Sequence, residues 1–382
     1  MNLNTNYQRC TRCVMDTTDP EISFDGDGVC NHCSNFDTFT SKGFFPNEEG
    51  KKRLEITLNR IKEEGKNKEY DCIIGLSGGV DSCYLALKVK EWNLRPLVVH
   101  VDTGWNSELA VANINNVIDY CNFELFTHVV QWDEMRDLQV SFLKSGVANQ
   151  DVPQDHTIFA TVYHFAIENN IQYILTGGNI ATEGIFPASW QGNAMDAINL
   201  KAIQNKFGEK PLKSYNTISL FEYYLWYPFV KKMKTVRPLN FMPYNKAEAI
   251  KEMEEKLGWR NYGRKHGESN FTKLFQNYYQ PEKFGYDKRL PHLSSLIVTG
   301  QINRNEALKK LEEPLYDPEE LKNDIDHFCR KLNISREEFD RFITDPAHDY
   351  TDFPNSDSRI KLMRTVQAFV ERLMGKRLTV YS

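Results

Sequence analysis

The stretch from Ile73 to Leu87, "IIGLSGGVDSCYLAL", places a Gly-Gly pair between two serines, where one apolar run ends and another begins. The segment "YDCIIGL" is typical of a buried strand, and "DSCYLALKVKEW" is typical of a helix. Gly78 and Gly79 can adopt backbone angles that other residues resist, and they let an oxyanion approach the backbone closely. The stretch therefore predicts a phosphate cradle at a helix N-terminus, where unpaired N–H groups and the helix dipole favour anions.

Strand-like and helix-like segments alternate from Tyr70 onward. The strand-like segments after the turn are "RPLVVHVD", "FELFTHVVQ" and "IQYILTGG", and helix-like sequence separates each from the next. Alternation at this pitch predicts βαβ units, a parallel sheet and right-handed crossovers. Ligands of such sheets bind outside the carboxyl ends of the strands, which is where the Ser-Gly-Gly turn falls.

Polar side chains flank the two glycines of the turn. Ser77 and Ser82 supply hydroxyl groups, and Asp81 places a carboxylate among them. A carboxylate beside phosphates repels them unless a cation lies between, and Mg²⁺ prefers one or two carboxylates plus phosphate oxygens. Asp81 is therefore a candidate catalytic residue and magnesium ligand, with Ser82 as a second catalytic candidate. The alternative is an ordinary tight turn in which Asp81 caps the helix.

The hexamer "SGGVDS" resembles the SGGxDS pattern of the PP-loop ATP pyrophosphatase superfamily. The resemblance implies an adenine nucleotide alpha hydrolase-like, Rossmann-like α/β fold that cleaves ATP between its α- and β-phosphates. It also implies a pyrophosphate-binding loop made of Ser77, Gly78, Gly79, Val80, Asp81 and Ser82. The segments "VVHVDTGWNSE" and "LTGGNIATEG" fit the same superfamily. The residues of these segments expected to bind ATP are Val101, Asp102, Thr103, Gly177, Gly178 and Asn179. Glu183 would be a second magnesium ligand and catalytic carboxylate, and its alternative is a solvated loop carboxylate.

Four of the eight cysteines form two CxxC pairs near the start of the chain. They are Cys10 and Cys13 in "CTRC", and Cys30 and Cys33 in "CNHC". Their spacing is in the zinc-ribbon range, and four thiolates complete a tetrahedral Zn²⁺ site, so the metal would be structural. The alternatives are a pair of disulfides, which the expected cytosolic location disfavours, and an iron–sulfur or redox site.

The order of the motifs and the segment from Tyr262 to Leu308 are similar to the N-acetyl sugar amidotransferase family, whose bacterial members act in surface-polysaccharide biosynthesis. The resemblance implies that an acetamido group of a nucleotide-activated sugar is converted to an acetamidino group. ATP would adenylate the amide oxygen, and ammonia would then displace AMP. Family members receive ammonia from separate glutaminase and cyclase-like subunits that resemble imidazole-glycerol-phosphate synthase, and we expect the same partners because this chain shows no glutaminase motif.

The loop "GRKHGESN" is the candidate substrate site. Arg264, Lys265 and Glu268 are expected to bind the substrate, and His266 or Glu268 could move a proton during ammonia attack. The alternative is a solvated charged loop. The segment "YDKRLPH" has the same two interpretations. Asp155 and His156 are candidate active-site groups, and the alternative for Asp155 is a helix N-cap. The aromatic run "FEYYLWYPF" is expected in a core or an interface, and the alternative is a stacking platform.

Two rival functions remain open from the sequence. One is a tRNA-modifying PP-loop enzyme, either a thiolase or a lysidine-type ligase, although Cys72 and Cys83 are expected to pack as small hydrophobes. The other is a non-catalytic zinc-ribbon scaffold. A net charge of -5 and a pI of about 6.0 argue against a broad nucleic-acid-binding face.

The 382 residues are enough for two or three domains. No stretch approaches the ~20 apolar residues of a membrane-spanning helix, and no signal-peptide pattern begins the sequence, so we expect a cytoplasmic protein. We predict four parts: a zinc-ribbon module in 1–45, a connecting helix in 46–69, a PP-loop domain in 70–245 and a helical region in 246–382. The connecting helix has an apolar stripe of Leu54, Leu58 and Ile61. In the helical region Asp317 and Ser335 are candidate N-caps, and "SRIKLMRTVQAFVERLM" is typical of a helix.

Overall fold

Five parallel strands form the central sheet in the part of the chain that the computed structural model describes, residues 7–190, 192–263 and 266–374. The sheet order is β3-β2-β1-β4-β5. The strands are β1 Cys72–Gly75, β2 Pro96–Asp102, β3 Leu125–Val129, β4 Tyr173–Leu175 and β5 Lys234–Val236. The prediction of a parallel α/β sheet is confirmed, and β5 is the strand that the sequence did not predict.

Helices cover both faces of the sheet and make up the C-terminal region. The α-helices are α1 Asn31–Gly43, α2 Glu48–Gly65, α3 Val80–Glu91, α4 Glu108–Cys121, α5 Trp132–Ser145, α6 Val152–Glu168, α7 Ile180–Glu183, α8 Ala197–Phe207, α9 Lys246–Leu257, α10 Asn270–Leu274, α11 Gln280–Phe284, α12 Arg289–Val298, α13 Arg304–Glu312, α14 Pro318–Leu332, α15 Arg336–Thr344 and α16 Asp357–Met374. The segments Glu222–Val230 and Phe275–Tyr279 are π-helical.

Successive residues of β1 enter two different cores. Ile74 packs in a core that also contains apolar residues of α2, α3, α4 and α9, whereas Ile73 packs in a core shared with α5, α6 and α8. Because side chains alternate between the faces of a strand, this arrangement requires helices on both faces of the sheet. The predicted stripe of the connecting helix, Leu54, Leu58 and Ile61, is buried in the first core.

The helical C-terminal region has a core of its own, built on Phe271, Phe328 and Phe339. Trp105, which follows β2, lies in the same core and joins this region to the sheet. The predicted helix caps are confirmed: Asp317 accepts hydrogen bonds from the first turn of α14, and Ser335 does so for α15. Among the residues described, no helix is long and apolar enough to cross a membrane.

Candidate active site at the carboxyl ends of the strands

The Ser-Gly-Gly turn joins the end of β1 to the start of α3, as predicted. Gly78 has a φ of +86°, and a Cβ added there would lie 2.9 Å from the carbonyl oxygen of Ala110. The hydroxyl oxygens of Ser77 and Ser82 are 3.0 Å apart, and the Ser77 hydroxyl accepts a hydrogen bond from the N–H of Gly79. In the described chain no side chain caps α3, and a helix N-terminus without a side-chain cap is a place where anions can bind.

The loop after β4 packs directly against the start of α3. A Cβ on Gly177 would lie 2.7 Å from the backbone carbonyl of Asp81, so only glycine allows this close approach. Asn179 caps α7 by accepting a hydrogen bond from the N–H of Thr182, and its side-chain amide donates to Asp81 Oδ1 at 3.1 Å. Two of the three sequence segments assigned to the nucleotide, the Ser-Gly-Gly turn and the loop after β4, therefore meet in the structure.

Asp81 and Glu183 share a buried tyrosine neighbour. The Tyr244 hydroxyl donates a hydrogen bond to Asp81 Oδ1. Burial, followed by the negative charges of Asp81 and Glu183, raises the pKa of Tyr244 well above its usual range. The phenol therefore stays protonated and donates, and both carboxylates lie close enough to act on it. Mg²⁺ prefers one or two carboxylates together with phosphate oxygens, so Asp81 and Glu183 beside the predicted phosphate cradle fit a magnesium ion.

Two aromatic side chains from the distant segment 259–262 hold the turn. The indole N–H of Trp259 donates to the Gly78 carbonyl at 3.1 Å, and the Tyr262 hydroxyl donates to the same oxygen at 2.9 Å. Neither residue belongs to a motif that the sequence analysis assigned to ATP. Because each lies more than 180 positions from the turn, no local pattern could have identified them.

A cavity of about 1770 Å³ opens at the carboxyl ends of β1, β2, β4 and β5 and extends to the C-terminal region. Predicted residues that line it are Ser77, Val101, Thr103, Gly178, Asn179, Glu183, His266 and Glu268. The other predicted residues that the structure describes are not among its lining residues: Gly78, Gly79, Val80, Asp81, Ser82, Asp102 and Gly177. The Asp102 carboxylate accepts a hydrogen bond from the N–H of Gly104 at 2.7 Å. Arg264 and Lys265 lie outside the described residues.

The predicted substrate loop lies over the phosphate cradle. The backbone carbonyl of Glu268 accepts a hydrogen bond from the N–H of Ser107, and a Cβ on Gly79 would lie 3.0 Å from Glu268 Oε1. His266 Nδ1 is 3.4 Å from the same carboxylate oxygen. His266 and Glu268 are 31% and 19% exposed, so this end of the loop faces the cavity and is only partly solvated.

A buried acidic pair lines the same cavity. Asp151 is the N-cap residue of α6, and its carboxylate accepts hydrogen bonds from Gln154, Thr272 and Gln276. Asp155 lies one turn further along, where burial and then the charge of Asp151 raise its pKa to about 8. Asp155 is therefore a cavity residue and not the helix cap.

His156, the neighbour of Asp155, has a structural position. Its Nδ1 lies 2.9 Å from the Ala194 carbonyl, and its Nε2 accepts a hydrogen bond from the N–H of Ile218. Burial lowers its pKa, so the ring is neutral and joins two backbone segments. His156 does not line the cavity in the described structure, whereas Asp155 does, so of the two only Asp155 stays a candidate active-site residue.

The four N-terminal cysteines form one buried cluster whose Sγ atoms all lie within 4.8 Å of one another. The Sγ atoms of Cys10 and Cys33 are 4.0 Å apart, and those of Cys13 and Cys30 are 3.7 Å apart. A disulfide bond is about 2.05 Å long, whereas a tetrahedral zinc site with Zn–S bonds of about 2.3 Å places its sulfurs about 3.8 Å apart. The disulfide alternative is wrong, and the cluster can hold a single metal ion.

Two other cysteines and one histidine are not reactive groups of these sites. Cys72 and Cys83 are fully buried, and burial raises the pKa of both thiols above the usual range. Both pack as small hydrophobes, as predicted. His32 lies beside the cysteine cluster in the sequence, but its Nε2 is 2.6 Å from the carboxylate of Asp19.

Residues 268–367 match the family model described as "LPS biosynthesis protein WbpG-like, C-terminal domain". Over 313 residues, which are 80% of this chain and 94% of the relative, the chain is 24% identical to an uncharacterized protein of Methanocaldococcus jannaschii. The match to the family model covers most of the segment Tyr262–Leu308, and it confirms that the C-terminal region resembles proteins of polysaccharide biosynthesis.

Solved structures similar to this chain include a synthetase and a thiolase. One is NMN synthetase from Francisella tularensis, with 15% identity and a TM-score of 0.36 over 70% of this chain and 98% of that chain. The other is the U34-tRNA thiolase NcsA from Methanococcus maripaludis with its [4Fe-4S] cluster. It is 14% identical with a TM-score of 0.33 over 80% of this chain and 90% of that chain.

Proposed function

We propose that this protein is an ATP-dependent amidotransferase that converts an acetamido group of a nucleotide-activated sugar to an acetamidino group. One juxtaposition carries the proposal. Glu268, the first residue of the WbpG-like range, has its carboxylate beside Gly79 of the phosphate cradle. The region that resembles polysaccharide-biosynthesis proteins therefore meets the candidate ATP site in one cavity.

The chemistry requires activation of a poor electrophile. An amide carbonyl resists attack by ammonia, and its oxygen is a poor leaving group. In the first step the amide oxygen forms a bond to the α-phosphorus of ATP, and the bond from that phosphorus to the bridging oxygen breaks. The pyrophosphate that departs would be held by the hydroxyls of Ser77 and Ser82 and by the first N–H groups of α3.

Magnesium would be held by Asp81 and Glu183. When bound, it neutralises negative charge on the phosphates and so stabilises the leaving pyrophosphate. The Tyr244 hydroxyl and the Asn179 amide donate to Asp81 Oδ1 and orient its carboxylate. In the four-cysteine cluster the metal would be zinc with a structural role, because four thiolates leave no open coordination position.

Ammonia completes the reaction. Its nitrogen forms a bond to the activated carbon, the carbon–oxygen bond breaks, and AMP leaves with the original amide oxygen. The proton released on attack needs an acceptor, and His266 and Glu268 line the cavity beside the cradle. Ammonium is not a nucleophile, so we propose that a separate glutaminase with a cyclase-like subunit delivers ammonia, and that the complex is cytoplasmic.

The test is incubation with ATP, Mg²⁺, ammonium and a panel of UDP- and CMP-linked acetamido sugars. We expect AMP and pyrophosphate as products, together with a sugar in which NH has replaced the amide oxygen, detected by mass spectrometry. An acceptor labelled with heavy oxygen in its acetamido group should pass the label to AMP. Formation of ADP, or label retained in the sugar, would contradict the proposal.

A parallel incubation tests the rival function in tRNA modification. The buried thiols of Cys72 and Cys83 do not support a thiolase, because a reactive cysteine needs an accessible thiolate. We expect no stimulation of AMP formation when tRNA replaces the sugar. Stimulation by tRNA that is lost at high salt would favour the rival instead.

A further inference from the structure

Helix α16 faces the cavity with its polar side. Its residues Asp357, Lys361, Arg364 and Thr365 line the cavity together with Ile360 and Ala368, whereas an apolar stripe of Leu362, Val366, Phe369 and Leu373 is exposed on the other side. A helix that packs on a protein core normally buries its apolar stripe. In α16 the stripe is instead exposed, and the charged side chains of the helix lie at the cavity.

The start of α16 is fixed to the sheet domain. Ser356 is fully buried, and both its N–H and its hydroxyl donate to the carboxylate of Asp196, the N-cap residue of α8. The Tyr350 hydroxyl donates to Asp357 at 2.8 Å, and Ile360 is 7% exposed. These contacts determine which face of the helix points into the cavity.

Two cations project from this inner face. Lys361 and Arg364 have exposed side chains, and neither forms an ion pair or a side-chain hydrogen bond with any residue in the described chain. Residues three positions apart lie on the same helix face about 5–6 Å from each other, a spacing that suits two neighbouring phosphates. The acidic residue of this face, Asp357, is already held by Tyr350.

Aromatic rings lie beside these cations. Tyr223 and Tyr224 belong to the π-helix Glu222–Val230, which packs against α16, and both line the cavity. Their ring centroids are 5.0 Å apart, and the rings are nearly perpendicular. Both tyrosines are half-buried, so each can offer a ring surface on which a nucleobase can stack.

We propose that α16 and the π-helix Glu222–Val230 bind the nucleoside diphosphate end of the acceptor sugar, with Lys361 and Arg364 on its phosphates and Tyr223 and Tyr224 against its base. This inference rests on the proposed function, which supplies a nucleotide-linked acceptor. ATP has a separate cradle at Ser77–Ser82. A cavity of about 1770 Å³ exceeds the roughly 300–1,000 Å³ of a pocket for one small ligand, so both nucleotides fit.

The experiment compares wild type, a double variant Lys361→Gln with Arg364→Gln, and the control Arg359→Gln. Arg359 is exposed on the same helix and does not line the cavity in the described structure, so its loss changes charge without touching the site. Calorimetric titrations use UDP-N-acetylglucosamine, which carries a diphosphate, and ATP with Mg²⁺ as probes, with CMP-N-acetylneuraminate, which carries one phosphate, as the comparison. Wild type that binds only the CMP-linked sugar would contradict the assignment of the two cations to a diphosphate. We expect the double variant to bind the sugar nucleotide about 10-fold or more weakly and ATP as wild type does.

Tyr224→Leu supplies a second, charge-neutral variant, and we expect it to weaken sugar-nucleotide binding without changing ATP binding. Equal sugar-nucleotide affinity in wild type and the double variant would overturn the inference and leave the proposed function standing. A double variant that loses ATP affinity would assign the cations to ATP and also overturn it. Failure of wild type to bind either sugar nucleotide would contradict the acceptor class of the proposed function itself.

Discussion

The four-cysteine cluster and the Ser-Gly-Gly turn are both short motifs, but they are supported in different ways. The cluster takes its four sulfurs from residues 10–33, and the N–H groups that donate to those sulfurs belong to Cys13, Met15 and Cys30. From the rest of the chain, Arg304 adds hydrogen bonds to two of its carbonyls. The turn instead depends on partners at positions 179, 244, 259 and 262.

This difference separates stability from activity. A metal cluster with all its ligands in one short segment should stabilise the fold of that segment. Loss of the metal should therefore lower stability. A turn that several distant segments contact should stay folded when a single functional group is removed. The catalytic activity at the turn should be lost with that group. Variants at the two sites can therefore confirm or contradict the contrast.

Removing one thiolate should give the largest effect. Cys13→Ser is expected to abolish stoichiometric metal binding and to lower the free energy of unfolding on the order of 5 kcal/mol, because ligation energy is folding energy in such modules. Metal content by mass spectrometry and denaturant unfolding measure both. The matched control is Cys329→Ser, a buried cysteine outside the cluster, which should keep its metal. A fully metallated Cys13→Ser protein would show that the cluster is not a four-thiolate site.

Removing the charge at the turn should chiefly affect catalysis. Asp81→Asn is expected to lower AMP formation by about 100- to 1,000-fold, since metal-assisted charge stabilisation contributes several kcal/mol to such reactions. Unfolding should change little, because an amide can still accept the hydrogen bonds of Tyr244 and Asn179. Asp119→Asn, an exposed charge change on α4, is the control. A variant that unfolds as readily as Cys13→Ser would contradict the contrast between the two sites.

The same contrast explains what the sequence could predict. The order β1–turn–α3 and the cysteine cluster were predictable because neighbouring residues carry both patterns. The stripe of α2 and the caps Asp317 and Ser335 were predictable because their periodicity and spacing are local.

Other features depend on contacts that only the folded chain creates. β5 reads "KTV", lies outside the alternating strand-like and helix-like segments, and forms because it pairs with β4. Periodicity predicted α16 as a helix, but an apolar stripe is normally assigned to the core, and here it faces outward. Tyr244, Trp259 and Tyr262 contact the turn from distant positions, so their roles were not predictable either.

Packing of the β4 loop on the turn should have an intermediate effect. Gly177→Ala is expected to lower the free energy of unfolding by about 1–3 kcal/mol, because its Cβ would lie 2.7 Å from the carbonyl of Asp81 and force a backbone shift. Gly178→Ala is the matched control for stability, since its Cβ would lie 3.7 Å from the nearest atom, an ordinary contact. Equal midpoints of thermal unfolding for the two variants would show that the loop does not press on the turn.

The smallest expected effect concerns the two distant hydrogen-bond donors to the Gly78 carbonyl, and whether one can compensate for loss of the other. Tyr262→Phe removes one of two hydrogen bonds to the buried carbonyl of Gly78 and should cost about 1 kcal/mol, because the Trp259 indole still donates to that oxygen. Trp259→Phe should cost more, since it also removes buried ring area. In the double variant the carbonyl loses both donors, so the cost should exceed the sum of the single changes by about 1 kcal/mol. If the two costs simply add in a double-mutant cycle, the turn keeps its shape without the Trp259 and Tyr262 donors. The turn would then resemble the cysteine cluster, whose sulfurs accept hydrogen bonds from N–H groups of their own short segment.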